Sequence, residues 1–250
     1  MTFYNYELIN RGTQTLYDTY FSQYADPDIG NYQDDYAGCD VTRGLSYMYN
    51  NDANDETVGS SIGWGQNPPA IGFDFFEGPY QDPDNSDNPG PVYDSITNSI
   101  IVPDVQTALA GNGIVYKGLG IGFNDGIVDN ERYGMRKFGV YAGNGAGVGQ
   151  SDPNSQNQYY NYMSGKWQFG DQWYFGGTGF QPGPGTSIPT NYMFPGDSDP
   201  LDWATEGVPT PYDCSMYEPT GTGSTPLEGK DQRFVQSAGP FTLRPGAVNN

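Results

Sequence analysis

The sequence predicts an all-β fold, in which short strands are joined by long loops rich in Gly, Pro and Asp. The 36 Gly and 20 Pro among 250 residues interrupt regular structure often, as is typical of loop-rich proteins. The 21 Tyr, 13 Phe and 4 Trp can bury a large apolar area, which disordered chains lack. The acids divide into 23 Asp and 7 Glu, and Asp prefers turns and caps to helix interiors.

Apolar alternation and turn residues predict the strands. Residues 2–10 and 16–24 predict a hairpin that closes at the turn of residues 10–13. Residues 70–76 form a short apolar run, which predicts a buried strand. The remaining predicted strands are residues 44–49, 100–102, 114–116, 133–141, 233–238 and 241–243.

One helix is predicted, at residues 155–167. Tyr160, Met163 and Trp167 recur at the spacing of a helix face, which predicts contact with the core rather than a ligand site. No internal repeat and no clear linker divides the chain. We therefore expect a single β-rich module over residues 1–250, arranged as a two-sheet sandwich with one short helix.

Charge and composition exclude several classes of function. The chain carries 30 acidic and 10 basic residues, a net charge of −20, and no histidine. Without histidine it contains no Ser-His-Asp or Cys-His system and no imidazole zinc site. Because phosphate binding needs clustered Lys and Arg, the charge also argues against a nucleic-acid partner. No catalytic residue is predicted.

The sequence also leads to an expectation about where the protein is located. The first residues lack the pattern of a signal peptide, and no apolar window is long enough for membrane insertion. Both ends fall in strand-like sequence, so we expect a segment of a longer polypeptide that carries its targeting signals elsewhere.

Cys39 and Cys214 either form a disulfide or are two free buried thiols, and sequence leaves both alternatives open.

Clustered Asp residues predict bound calcium. Ca²⁺ takes about six to eight oxygen ligands from carboxylates, carbonyls and water, and it tolerates irregular loops. Bound cations would also relieve the repulsion among the acids. The alternative, that these residues form Asx turns and keep the protein soluble, stays open. Four loops supply the candidate ligands, the first being the main site: Asp26, Asp28, Asp34, Asp35 and Asp40; Asp52 and Asp55; Asp125 and Asp129; Asp197 and Asp199.

Two familiar binding loops are excluded. If Gly126 is placed at the sixth position of an EF-hand loop, the first and last positions become Ile121 and Arg132, which cannot serve as carboxylate ligands. The glycine-rich stretch 143–149 lacks the Lys-Ser/Thr that follows in a phosphate-binding loop.

A carbohydrate-binding or glycosidase-like function is the first alternative. Glycosidases need two suitably spaced carboxyl groups, and acids are abundant here. Aromatic side chains that could stack on sugar rings are Trp64, Trp167, Trp173, Tyr174 and Trp203, although the same residues are expected in a β core that is poor in Leu.

Several segments resemble a module of large secreted or cell-surface proteins of Bacteroidota type that carry type IX sorting signals. The similar segments are residues 26–30, 34–40, 67–78, 159–163, 191–197 and 233–241, which together span most of the chain. The resemblance implies an extracellular or cell-surface location within a longer chain, and it supplies no catalytic residue. The chain departs from the module at one point: Tyr49 is followed by Asn50 and Asn51, where the module usually has Tyr-Asn-Gly.

These observations predict a calcium-stabilised structural or adhesive module of a secreted or cell-surface protein. Calcium is the predicted partner, together with a glycan, a protein surface or a second copy of the chain. The alternatives are a carbohydrate-active module and a subunit of an extracellular filament.

Overall fold

The computed structural model describes residues 1–88, 92–94, 99–101, 120–123, 125–143, 145–181, 187–200 and 202–249. Within these ranges strands dominate, which confirms the all-β class. The strands are β1 (Leu8–Ile9), β2 (Leu16–Ala25), β3 (Asp35–Asp40), β4 (Leu45–Asn50), β5 (Asn54–Asp55), β6 (Gly65–Gln66), β7 (Ile71–Asp74), β8 (Val92–Asp94), β9 (Ser99–Ile101), β10 (Lys137–Ala142), β11 (Gln232–Leu243) and β12 (Val248–Asn249). One α-helix, α1 (Gln156–Met163), and a 3₁₀ turn at Trp203–Thr205 accompany them. The strand predicted at 114–116 lies outside the described residues.

Two three-stranded antiparallel sheets form the centre of the fold. Sheet A has the order β10–β11–β2, and sheet B has the order β3–β4–β7. The pairs β1–β12, β5–β6 and β8–β9 form two-stranded sheets, so the described chain contains several small sheets. Phe234 of sheet A contacts Phe73 of sheet B and Phe138 of its own sheet, with ring centroids 5.5 Å apart in both cases. The two larger sheets therefore share one apolar core.

The hairpin predicted at the start of the chain is not formed. β1 pairs with β12, and β2 pairs with β11. The Asn10 side chain explains this pairing, because its amide donates hydrogen bonds to the carbonyls of Gln14 and Leu243, both at 2.8 Å. It thus fixes the turn after β1 to the end of β11. The two strands predicted at 233–238 and 241–243 are one strand, interrupted by a register shift between Ala238 and Phe241.

The predicted buried strand at 70–76 is an edge strand instead. Among the described strands β7 pairs only with β4, and Ile71 and Phe76 are 39 % and 62 % exposed. Phe73 of β7 packs against the core, and Phe75, which follows β7, is 7 % exposed and belongs to the core. The apolar run was misread because residues at the edge of a small sheet are covered on one face only.

The helix is shorter than predicted and uses a different face. It ends at Met163, just before Gly165, whose φ of +83° cannot continue a right-handed helix. Tyr162 is the buried helix residue and stacks on Tyr141 at 5.0 Å, whereas Tyr160 is 43 % exposed. Trp167 is buried as expected, but it follows the helix.

Both cysteines are buried and free, which decides between the two alternatives for Cys39 and Cys214. Burial raises the pKa of both thiols. In the part of the chain that the structure describes, no helix combines the length and the apolar character that a membrane span requires.

The shared core makes Phe234 a test of the architecture. We expect Phe234→Ala to lower the free energy of unfolding by about 3–5 kcal/mol, because the cavity would open between both sheets. Phe169→Ala, at a ring that is 65 % exposed, should change it by less than about 0.5 kcal/mol. Urea unfolding followed by fluorescence measures both, and equal effects would contradict the shared core.

Candidate functional site

The first two acidic loops meet where β3 begins and β4 ends. Asp35 opens β3 and lies directly opposite Asn50, the last residue of β4, so both side chains project from the same face. Asp55 fixes the second loop to the first, because its carboxylate accepts hydrogen bonds from the Asn31 and Trp64 amides at 3.0 and 2.7 Å. We call five polar residues at this end of the sheet the oxygen cluster: Asp34, Asp35, Asn50, Asp52 and Asp55.

Three buried oxygen atoms of the oxygen cluster have no hydrogen-bond partner. Asp35 is 1 % exposed; its Oδ2 accepts the Ile29 amide at 2.9 Å, and its Oδ1 accepts nothing. Asn50 is 5 % exposed and donates its amide to Asp52, which leaves its Oδ1 unpartnered. Oδ1 of Asp34 is the third. Buried acceptors without a donor are rare and costly, so these three oxygen atoms call for an explanation.

The oxygen cluster also concentrates negative charge. Burial, reinforced by the charges of Asp34, Asp28 and Asp55, raises the pKa of Asp35 from 3.8 to about 7 despite the Ile29 hydrogen bond. Burial and the nearby Asp55 likewise raise the pKa of Asp34. Among the described residues, no Lys or Arg forms an ion pair with Asp34, Asp35 or Asp55. The negative charge of these acids is therefore not balanced by an ion-paired Lys or Arg among the described residues.

Asp26 and Asp28 belong to a separate acidic group. Their carboxylate oxygens lie within 4.8 Å of each other and of the carboxylate of Asp231. Arg233 already provides the positive charge here, since its Nε lies 2.9 Å from Asp26 and it also pairs with Asp231 and Asp152. Sequence reasoning missed Asp231, because only the pairing of β2 with β11 brings it next to the first loop.

The structure does not bring Asp40 to the oxygen cluster. Asp40 ends β3, about 17 Å along the strand from Asp35. Its carboxylate accepts hydrogen bonds from the Thr42 hydroxyl at 2.8 Å and the Arg43 amide at 3.0 Å, and it pairs with the Arg43 side chain. Asp40 therefore stabilises the β3–β4 turn.

The acids of the third loop accept hydrogen bonds from backbone and side-chain amides. Oδ1 of Asp129 accepts the amides of Asp84 and Asn85 at 2.7 and 2.8 Å. Asp125 accepts the Ile127 amide at 2.8 Å and the Asn130 side-chain amide at 2.9 Å. The Asp129 carboxylate therefore joins its loop to the segment of Asp84, whereas the Asp125 carboxylate closes a turn within its own loop.

The fourth loop behaves in the same way. The carboxylate of Asp199 accepts the amides of Trp203 and Ala204, both at 2.8 Å, and so caps the 3₁₀ turn. Asp197 is exposed. Neither residue lies in the oxygen cluster.

The aromatic residues considered for sugar stacking are mostly core residues. Trp167, Trp173 and Trp203 are at most 2 % exposed, so their faces cannot receive a sugar, whereas Trp64 is 66 % exposed. A groove that sequence reasoning missed, the aromatic groove, has a volume of about 1000 Å³ and lies between the first residues of the chain and β7. Its exposed apolar side chains are Phe3, Tyr4, Tyr6, Ile71 and Phe76, and its charged ones are Asp74, Glu77 and Arg132.

The raised pKa of Asp35 predicts a pH dependence of stability. A carboxyl group that binds its proton more tightly when folded destabilises the fold as pH rises from its unfolded pKa to its folded pKa. In chelator, the free energy of unfolding should therefore fall between pH 3.8 and about 7, by at most about 1.4 kcal/mol per pH unit from Asp35.

Asp35→Asn tests this directly in chelator. The Asn oxygen can accept the Ile29 amide, and its amide can donate to Asn50, so the variant should be more stable than the natural chain at pH 8 and less sensitive to pH. The exposed Asp197→Asn should retain the natural pH dependence. Urea unfolding across the pH range measures all three, and an unaltered slope in Asp35→Asn would contradict the assignment.

No protein-family model, no curated protein and no solved structure matches the chain. Its function is therefore inferred from the geometry of its own residues.

Proposed function

We propose that the chain is a calcium-stabilised structural or adhesive module of a large secreted or cell-surface protein. The observation that carries this proposal is the oxygen cluster, with three buried oxygen atoms that lack partners and no ion-paired Lys or Arg among the described residues. A net charge of −20 supports it, because a bound cation lowers the repulsion among the acids.

The chemistry of these oxygens favours Ca²⁺ over other metals. Carboxylate and amide oxygens are hard ligands, which suit Ca²⁺ and Mg²⁺ better than zinc or copper. Mg²⁺ demands near-ideal octahedral geometry, whereas Ca²⁺ accepts irregular loops such as those around Asp34 and Asp52. Extracellular calcium modules typically bind at about 10⁻⁴–10⁻³ M, which fits a site with two or three carboxylates and water completing the shell.

A cation in the oxygen cluster would act as a structural clamp. It would join the start of β3 to the end of β4 and so hold both acidic loops, which sheet pairing alone leaves long and irregular. The loops would then present a fixed surface, as adhesion requires. The extracellular location is proposed on the basis of the resemblance described in the sequence analysis.

Calcium should raise the thermal midpoint of the chain. At a concentration about one hundred times the dissociation constant, binding to the folded state adds about 2.7 kcal/mol, which corresponds to a rise of about 5–10 °C for a chain of this size. Differential scanning fluorimetry with Ca²⁺ and with chelator, at constant ionic strength, measures the shift. An unchanged midpoint would contradict the proposal.

The oxygen cluster predicts which variants lose this response. Asp35→Asn should abolish most of the calcium-dependent rise, because it removes a buried ligand charge. Asp197→Asn removes the same charge at an exposed position and should keep the full rise. If both variants respond equally, calcium binds elsewhere on the acidic surface.

The aromatic groove supports a second candidate function, carbohydrate binding. Phe3 stacks on Phe76 at 6.0 Å, and both rings keep exposed surface of the kind on which sugar rings pack. Asp74, Glu77 and Arg132 stand at its walls as partners for hydroxyl groups. These acids are not assigned catalytic roles.

A glycan screen followed by calorimetry tests the groove. Phe76→Ala should weaken binding of any glycan found by about tenfold, because one stacking face is lost. Trp64→Ala removes an exposed aromatic ring outside the groove and should leave the affinity unchanged. Binding that is insensitive to Phe76→Ala would exclude the groove as the site.

A further inference from the structure

Three polar side chains from separate segments meet beside sheet A. Lys137 opens β10, Asn191 lies in the segment that runs alongside it, and Glu206 follows the 3₁₀ turn. The backbone fixes these segments together, because the Phe138 amide donates to the Asn191 carbonyl at 2.9 Å and the Asn191 amide donates to the Ala204 carbonyl at 2.7 Å. The three side chains therefore meet in a rigid setting.

The side chains form a chain of contacts centred on the Asn191 amide group. Nζ of Lys137 donates to Oδ1 of Asn191, so the amine contacts the amide group that it would attack. Nδ2 of the same amide donates to Oε1 of Glu206 at 3.1 Å. Arg136 donates to that same oxygen at 3.3 Å and so positions the carboxylate. A nucleophile and a proton acceptor thus contact the two ends of one amide.

The protonation states suit nucleophilic attack. Burial, together with the positive charge of Arg136, lowers the pKa of Lys137 to about 7, so that a substantial fraction is the neutral amine at neutral pH. Burial acts to raise the pKa of Glu206, but the Asn191 hydrogen bond and the charges of Arg136 and Lys137 outweigh it and lower that pKa. Glu206 is therefore ionised and able to accept a proton.

We propose that Lys137 and Asn191 form an intramolecular isopeptide bond, with Glu206 as the residue that transfers the proton. The neutral amine attacks Cγ of Asn191 and forms a tetrahedral intermediate. Glu206 accepts a proton from the attacking nitrogen and delivers it to the departing Nδ2. The new N–C bond replaces the old one, and one ammonia molecule is released without any oxidant or cofactor.

Local packing favours this reaction over a simple hydrogen bond. Asn191 is 5 % exposed, so water has little access to compete with the amine at Cγ. The Glu206 side chain is 52 % exposed, which gives ammonia a route to solvent. Gly165 lies against the lysine stem: a Cβ there would approach Cδ and Cε of Lys137 to 3.1 and 3.3 Å, so glycine permits the extended path of the side chain toward Asn191.

The bond would give the chain a covalent brace that does not depend on calcium. It would close a loop between residues 54 positions apart and tie β10 to the segment beside it. Cross-links of this kind restrict the unfolded chain as a disulfide does, and they resist reduction. In this chain both cysteines are free, so no disulfide supplies such a constraint.

Intact-mass spectrometry of the purified, denatured full chain tests the proposal. The natural chain should weigh less than its sequence predicts by the mass of one ammonia, and tandem spectra of a digest should contain a branched peptide joining Lys137 to Asn191. A natural chain with the full sequence mass, or one that loses ammonia without the branched peptide, would overturn it.

Matched variants test the separate roles of Lys137, Asn191 and Glu206. Lys137→Arg and Asn191→Ala should restore the mass expected from their sequences, whereas Lys166→Arg, at a neighbouring exposed lysine, should still show the loss. Glu206→Gln should fold but cross-link at least tenfold more slowly during incubation at neutral pH. If Glu206→Gln cross-links as fast as the natural chain, Glu206 is not the proton-transfer residue.

Discussion

Hydrogen bonds from backbone amides to Asp carboxylates hold this structure together where sheets do not. Several strands are only two residues long, so ladder pairing leaves many loops without partners of their own. Asp82 accepts the Thr242 amide at 2.6 Å across 160 positions, and Asp55 accepts two amides from different loops. Charged acceptors form stronger hydrogen bonds than neutral ones, so Asp carboxylates are effective at these positions. The cost is that negative charge accumulates wherever loops converge.

The fold deals with this charge in two different ways. Beside β11, Arg233 lies among Asp26, Asp152 and Asp231, so an internal cation balances the acids. At the oxygen cluster no ion-paired Lys or Arg is present among the described residues, and Asp35 instead has a raised pKa and an unpartnered oxygen. The contrast between the two groups, in one chain, is the reason why we propose a bound cation for the second and not for the first. A chain with only ten basic residues cannot place an arginine at every such point.

The features that were correctly predicted from the sequence are those that depend on residues close together in the chain. The alternation over residues 44–49 correctly predicted β4, and the helical spacing correctly placed one helix near Tyr162. It did not predict the pairing of β1 with β12, because Asn10 selects a partner 233 positions away. Four of the five residues of the oxygen cluster were named from the sequence, namely Asp34, Asp35, Asp52 and Asp55. Asn50 was not, since only the β3–β4 register places it opposite Asp35.

The contact between Lys137, Asn191 and Glu206 could not be predicted from sequence spacing, because the three residues lie in separate segments. The proposed chemistry arises only from their contact in the fold. Its position also bears on the calcium proposal. The three residues lie beside sheet A, whereas the oxygen cluster lies at the end of two strands of sheet B. A brace on each sheet would constrain a different part of the chain, one covalently and one through an ion. Because the sheets share the core around Phe234, loosening either one exposes apolar surface of both, so the two devices would stabilise the same folded unit by independent means.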